Sequence, residues 1–340
     1  MRLFARVLLF GAAIVLAACS GEAGPAGPAG AAGAAGPAGP AGSDATFEVA
    51  DLTCTGCHDD TTLIVSKQAQ FRELSRHGTG EAFERGASTS CAGCHGSEGA
   101  EARIEAGLLP HDPSVEGITN VSPYSCRTCH DIHTTYTAAD FSLTGDGRPA
   151  QMENTTGTFD GGLGNLCANC HQIRNELPVL TEADGAEFEV TSSRFGTHHG
   201  VEAQMLLGEG GLMVTGSPSV HYQVVEDTCV SCHMGEQRNH TYEPNLSNCQ
   251  GCHADLDTFD RNGVQTEISA LMEEVKALLV EAGIMDLEVG DNRSATGLFP
   301  EEVASAMWNY MFVLEDQSMG VHNPAFARAL LEQAKTALSG

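Results

Sequence analysis

Cys126-Arg127-Thr128-Cys129-His130-Asp131-Ile132-His133 decides how this chain is built. Two cysteines three apart, with histidine directly after the second, form the pattern of c-type haem attachment. The thiols bond to the haem vinyl groups, and the adjacent histidine supplies the proximal nitrogen to iron. The pattern occurs six times: at Cys54, Cys57 and His58; Cys91, Cys94 and His95; Cys126, Cys129 and His130; Cys167, Cys170 and His171; Cys229, Cys232 and His233; and Cys249, Cys252 and His253. One copy reads equally well as a redox dithiol or half a zinc site. Six copies with histidine always in the same place predict six covalently bound haem c groups.

Cysteine arithmetic supports this reading: the chain has 13 cysteines, and the motifs use all but Cys19. Residues 1–18 start with Arg2 and Arg6 and then run apolar, which is the form of a signal peptide and too short for a mature membrane span. Leu16-Ala17-Ala18-Cys19 resembles a bacterial lipobox, which implies lipidation at Cys19 and a membrane anchor there. The alternative is ordinary cleavage near Ala18.

Residues 19–44 form the next segment. From Gly21 glycine recurs every third residue for eight triplets, with Pro25, Pro28, Pro37 and Pro40 in the second position of theirs. That is the collagen period. It fits an extended tether, roughly 75 Å long at about 3.1 Å per residue, or a trimer stalk that would make an oligomer.

Residues 45–263 carry every motif and are expected to be the hexahaem cytochrome c domain; residues 264–340 carry none. From residue 45 onward 296 residues share six motifs, aromatic content is 6%, and Trp308 is the single tryptophan, so cofactors should supply much of the core. The fold class expected is mainly α with much irregular loop: a multihaem cytochrome c wrapped around six covalent haems, with a helical C-terminal segment. The formal charge of −28 disfavours nucleic acid and suits either plain solubility or a cationic partner.

Local patterning is clearest after residue 263. Ile268, Leu271, Met272, Val275, Leu278, Leu279 and Ala282 fall on one helical face, and Met307, Tyr310, Met311 and Leu314 repeat the spacing. Asn323-Pro324 reads as an N-cap with proline at N1 of a third helix through Phe326, Leu330 and Leu331. Small residues in 88–99 and 144–165 predict loops, and the alternation in 221–225 suggests a short strand.

Eight of the 14 histidines lie outside the motifs, enough to give six irons a second axial ligand. His133 is too near His130 to serve the same iron and should reach a neighbour. His240, between two close motifs, suits a neighbour too. His322 precedes a capped helix, a rigid support. His77 and His221 are further candidates. His198 and His199 are adjacent, so their side chains diverge: they serve two irons, or one ligates while the other bonds a propionate. His111, before Asp112-Pro113, is the expected spare.

His198-His199-Gly200, Pro218-Ser219-Val220-His221 and Cys229-Val230-Ser231-Cys232-His233-Met234 resemble stretches of multihaem cytochromes of extracellular and periplasmic respiration. Gly320-Val321-His322-Asn323-Pro324-Ala325-Phe326-Ala327-Arg328 resembles the carboxy-terminal ligand helix in relatives of cytochrome c nitrite reductase. The resemblance implies closely spaced haems with bis-histidine iron. It does not extend to nitrite reduction, because those reductases carry a lysine in one motif and all six motifs here end in histidine.

The expected function is an exported electron relay in anaerobic or extracellular respiration. It would be lipid-anchored at the outer membrane, on its periplasmic or cell-surface face, and would serve redox partner proteins or an external acceptor. No catalytic residue is expected. The alternatives are a reductase of a small nitrogen or sulfur oxyanion, which needs an iron with an open face, and a subunit of a conducting filament.

Overall fold

The computed structural model describes residue 58 and residues 63–115, 120–181, 183–290 and 292–339, all within one compact unit. The signal segment, Cys19, the glycine-period tract, and Cys54 and Cys57 of the first motif lie outside the described residues. The fold is mainly helical with irregular connections and two small antiparallel sheets.

The motifs wind into single helical turns. The histidine N–H donates to the carbonyl of the first cysteine at 2.9 Å in the second, third, fourth and sixth motifs. One turn of helix places residues i and i+4 on the same side, so first cysteine and histidine face one space. The turn Thr89–Ala92 therefore stands where loop was expected. Gly96, at φ 89°, then reverses the chain into α1 (Ser97–Ala106). Residues 144–165 stay largely irregular, with the hairpin of β1 (Ala150–Gln151) and β2 (Thr158–Phe159) between tight turns.

After the fourth motif come β3 (Glu187–Val190), α2 (Glu202–Leu207) and α3 (Val220–Val224). α3 replaces the strand expected at 221–225. Ser219 Oγ accepts from the N–H of Tyr222 at 3.0 Å, so a hydroxyl cap starts a helix where the alternation was too short to hold a strand.

The three C-terminal helices form as expected: α4 (Val264–Glu281), α5 (Glu301–Asp316) and α6 (Pro324–Leu338). α4 buries Ile268, Met272, Val275 and Leu279; Ala282, expected on that face, is exposed just past its end. The Asn323 side chain accepts from Phe326 N–H at 3.2 Å, and its amide donates to the carbonyls of Met205 and Ser217 at 3.0 Å each. The cap thus also ties α6 to α2. β4 (Gly297–Pro300) pairs with β3, Phe188 opposite Phe299.

These elements share one hydrophobic core. It takes Ile173, Val201, Met205 and Leu212 from the middle of the chain, with Trp308, Phe312, Phe326 and Leu330 from α5 and α6. Each such large side chain contributes about 1.5–3 kcal/mol by leaving water. This core is the wall against which the motif-bearing part is built.

Candidate functional site

A cavity of 2590 Å³ runs through the motif-bearing part. It is lined by all 14 histidines and by the ten motif cysteines of the described residues. Those ten cysteines are free thiols.

Inside the cavity the histidines pair. Ring centroids of His58 and His133 are 6.1 Å apart, and His95 and His198 are 6.5 Å apart. His130 and His240 are 6.3 Å apart, and His171 and His77 are 6.0 Å apart. His233 and His322 are 6.2 Å apart, and His253 and His221 are 6.3 Å apart. Every pair takes one histidine from a motif and one from elsewhere. An imidazole nitrogen lies about 1.1 Å from its ring centroid and a metal–imidazole bond is about 2.0 Å, so imidazoles sharing a metal from opposite sides have centroids about 6 Å apart. All six pairs have that spacing.

The ring hydrogen bonds agree. Nδ1 of His130, His221, His233 and His240 is bound to a backbone carbonyl, of Phe141, Val321 and Tyr242 at 2.9 Å and of Arg238 at 2.7 Å. Nδ1 of His171 is 3.1 Å from Glu202 Oε2, and Nδ1 of His322 is 2.6 Å from Asp316 Oδ1. An occupied Nδ1 fixes the tautomer and leaves Nε2 as the nitrogen free to bind a ligand. Burial lowers the pKa of His77 and His198 to about 4, so both rings are neutral at neutral pH. His171 moves the other way, to about 9, because the Glu202 carboxylate faces it. For His322 burial works against the charged form, but Asp316 outweighs it and the pKa rises to about 9.

The remaining two histidines differ. His111 binds the Glu153 carboxylate through its ring, and the Glu153 side chain also takes its backbone N–H at 2.8 Å. His199 is held by Glu315, with its ring 5.2 Å from that of His198. Among the described residues neither stands opposite a motif histidine. Of the adjacent pair, His198 stands opposite His95 and His199 is bound to Glu315.

The backbone aims several of these side chains. His133 and His198 have φ of 67° and 68°, left-handed values that cost a non-glycine residue about 1–2 kcal/mol. Asp140 holds the first of them in place: its carboxylate accepts from the N–H groups of His133 at 2.8 Å, Thr135 at 2.6 Å and Tyr136 at 3.0 Å. His322 follows a tight turn with positive φ at Gln317, Met319 and Gly320. A Cβ on Gly320 would lie 2.8 Å from Ile268 Cγ1, so the turn needs glycine.

Several residues essential to the geometry carry no motif. Arg103 is 1% exposed and donates to the carbonyls of Gly93 at 2.6 Å, Leu108 at 3.1 Å and Asn169 at 2.9 Å. It clamps the second motif, at Gly93, to the fourth, at Asn169. The fifth motif meets the segment leading into the fourth: Thr228 Oγ1 donates to the Gly161 carbonyl at 2.9 Å and Cys229 Sγ to that of Gly164 at 3.9 Å. The Tyr242 ring lies 5.0 Å from His77 and 5.9 Å from His240. No local signal distinguishes these residues from surface arginine or tyrosine, because their role comes from long-range packing.

Among the described residues no cluster of three or more His, Cys, Asp or Glu is arranged to hold a metal ion. None of the described helices is long and apolar enough to cross a membrane.

No protein-family model and no curated protein matches the chain. Among solved structures, the outer cell wall cytochrome OcwA is similar with 21% identity and a TM-score of 0.49 over 79% of this chain and 50% of that one. The undecaheme cytochrome from the S-layer of Carboxydothermus ferrireducens is similar with 18% identity and a TM-score of 0.47 over 78% of this chain and 40% of that one. The chain thus spans about half or less of the length of these two cytochromes.

Proposed function

We propose that this chain is an exported hexahaem cytochrome c that relays electrons and performs no substrate chemistry of its own. The observation that carries this is the pairing: six motif histidines each stand opposite one non-motif histidine at 6.0–6.5 Å. The proposed axial sets are His58/His133, His95/His198, His130/His240, His171/His77, His233/His322 and His253/His221. Bound haem supplies a one-electron ferric/ferrous couple.

The residues of the chain do the rest. The cysteines fix each group covalently, and the paired histidines close both axial faces, which disfavours binding of an oxyanion at iron. Carbonyls and carboxylates on Nδ1 hold the imidazoles in one tautomer. Pairs are linked through shared segments. His130 and His133 belong to different pairs, and the carbonyl beside His322 binds His221. Such linkage suits rapid exchange among neighbours. Lipidation at Cys19, an outer-membrane location and service to redox proteins or an external acceptor complete the proposal; the acidic surface favours a cationic interface at low salt.

The test uses matured, full-length protein. Mass spectrometry should find six haems, and electrons supplied to an electrode-bound sample should pass to an external acceptor without consuming nitrite, hydroxylamine or sulfite. Five or fewer haems, or turnover of one of those anions at rates comparable with electron supply, overturns the proposal.

A further inference from the structure

The histidine pairs are not equivalent in what backs them. Four described ring nitrogens, on His130, His221, His233 and His240, lean on neutral backbone carbonyls. Those of His171 and His322 lean on carboxylates. Asp316 makes the contrast sharp. Its side chain is fully buried, and it is the last residue of α5, where the helix macrodipole opposes an anion and no basic residue stands in the final turn. A carboxylate there is costly unless it is paired. Its partners are the His322 ring at 2.6 Å and the Ser318 hydroxyl. Local stability does not account for a buried anion at the wrong end of a helix; its placement behind a ligand does. Glu202 reaches His171 from the first turn of α2, where an anion is welcome, and its field also acts on His322.

We infer that Glu202 and Asp316 are tuning residues: they hold the irons of the fourth and fifth motifs at lower reduction potential than carbonyl-backed ligands would. This rests on the axial sets proposed above. A carboxylate accepting from Nδ1–H makes the imidazole a stronger donor and favours ferric iron, which carries one more positive charge than ferrous. Each reduction takes up one electron and leaves the axial ligands in place. The fourth and fifth motifs are adjacent, since Thr228 and Cys229 bond to the carbonyls of Gly161 and Gly164 just ahead of Cys167. The lowered couples therefore form one contiguous, electron-poor section.

The test is a spectroscopic redox titration of the six-haem protein, with low-temperature EPR of the oxidised form. Glu202→Gln and Asp316→Asn should each move one of six one-electron steps to more positive potential and alter one low-spin signal. Glu315→Gln removes the same charge beside His199, which is not a proposed ligand, and should move no step as far. The inference is overturned if the first two variants shift no step more than Glu315→Gln does, or if all six steps shift together as in a general field effect. Should Asp316→Asn fail to accumulate, Glu202→Gln alone decides, since its side chain is only partly buried. Failure to find six low-spin haems in unmutated protein would instead remove the axial sets themselves.

Discussion

Two regions of this molecule solve the problem of a core in opposite ways. The helices α4, α5 and α6, with residues 173–212, pack Trp308, Phe312, Phe326, Leu330 and their neighbours into a continuous apolar interior. The motif-bearing stretches on either side of 173–212 line most of a 2590 Å³ cavity instead, and their hydrophobic cluster is small, Ala150, Met152, Phe159 and Ala168 closed by Ala203, Leu206 and Leu207 of α2. The first region contains its own driving force for folding. The second has short helical turns, tight bends and paired histidines whose interior must come from what they bind.

The largest expected consequence is unequal folding without haem. Protein made where haem attachment is blocked should keep slow amide exchange in α4–α6 and lose it around the second, third, fifth and sixth motifs. Equal protection in both regions would break the comparison. Next in size, Phe326→Ala should cost about 3–5 kcal/mol in thermal or denaturant unfolding, since the ring is 2% exposed in the packed region. Haem spectra should barely change. A cost near zero would mean that the cofactors, not these helices, carry the stability.

What the sequence made legible follows the same division. The C-terminal helices could be read because apolar spacing and the Asn323-Pro324 cap are local signals that packing then used. The motifs could be read because their chemistry demands fixed spacing. The pairing could not: nothing local says that His221, eight residues before Cys229, stands opposite His253, or that His77 stands opposite His171. Glu202 and Arg103 were invisible for the same reason, as each reaches a residue far away in sequence; Asp316 is only six residues from His322, but no local pattern shows that the turn between them brings the two together. The strand expected at 221–225 failed because a two-residue period over five residues weighs less than one hydroxyl cap.

A smaller, spectral effect sharpens the contrast. His133→Ala should turn one of six haems high spin while the protein stays folded, because that ring is exposed and outside the packed core. His111→Ala should leave the spectrum unchanged. A high-spin signal from the second variant and none from the first would reverse their roles. Smallest of all, Arg328→Ala removes the ion pair with Glu267, whose nitrogens lie 2.6 and 2.7 Å from its carboxylate oxygens. Both side chains are solvated, so the loss should be small and should shrink further at high salt. A larger loss that disappears at high salt would show that the α4–α6 contact depends on charge and not on its apolar face.

The central claim is that each motif histidine shares an iron with one particular histidine from elsewhere in the chain. EPR spin quantitation of the oxidised, fully loaded protein, together with near-infrared magnetic circular dichroism, tests it most directly. The account predicts six low-spin ferric irons per chain, all with the charge-transfer band of bis-histidine ligation and no high-spin signal. A high-spin iron, or a band diagnostic of methionine or lysine ligation, in the unmutated protein would contradict it.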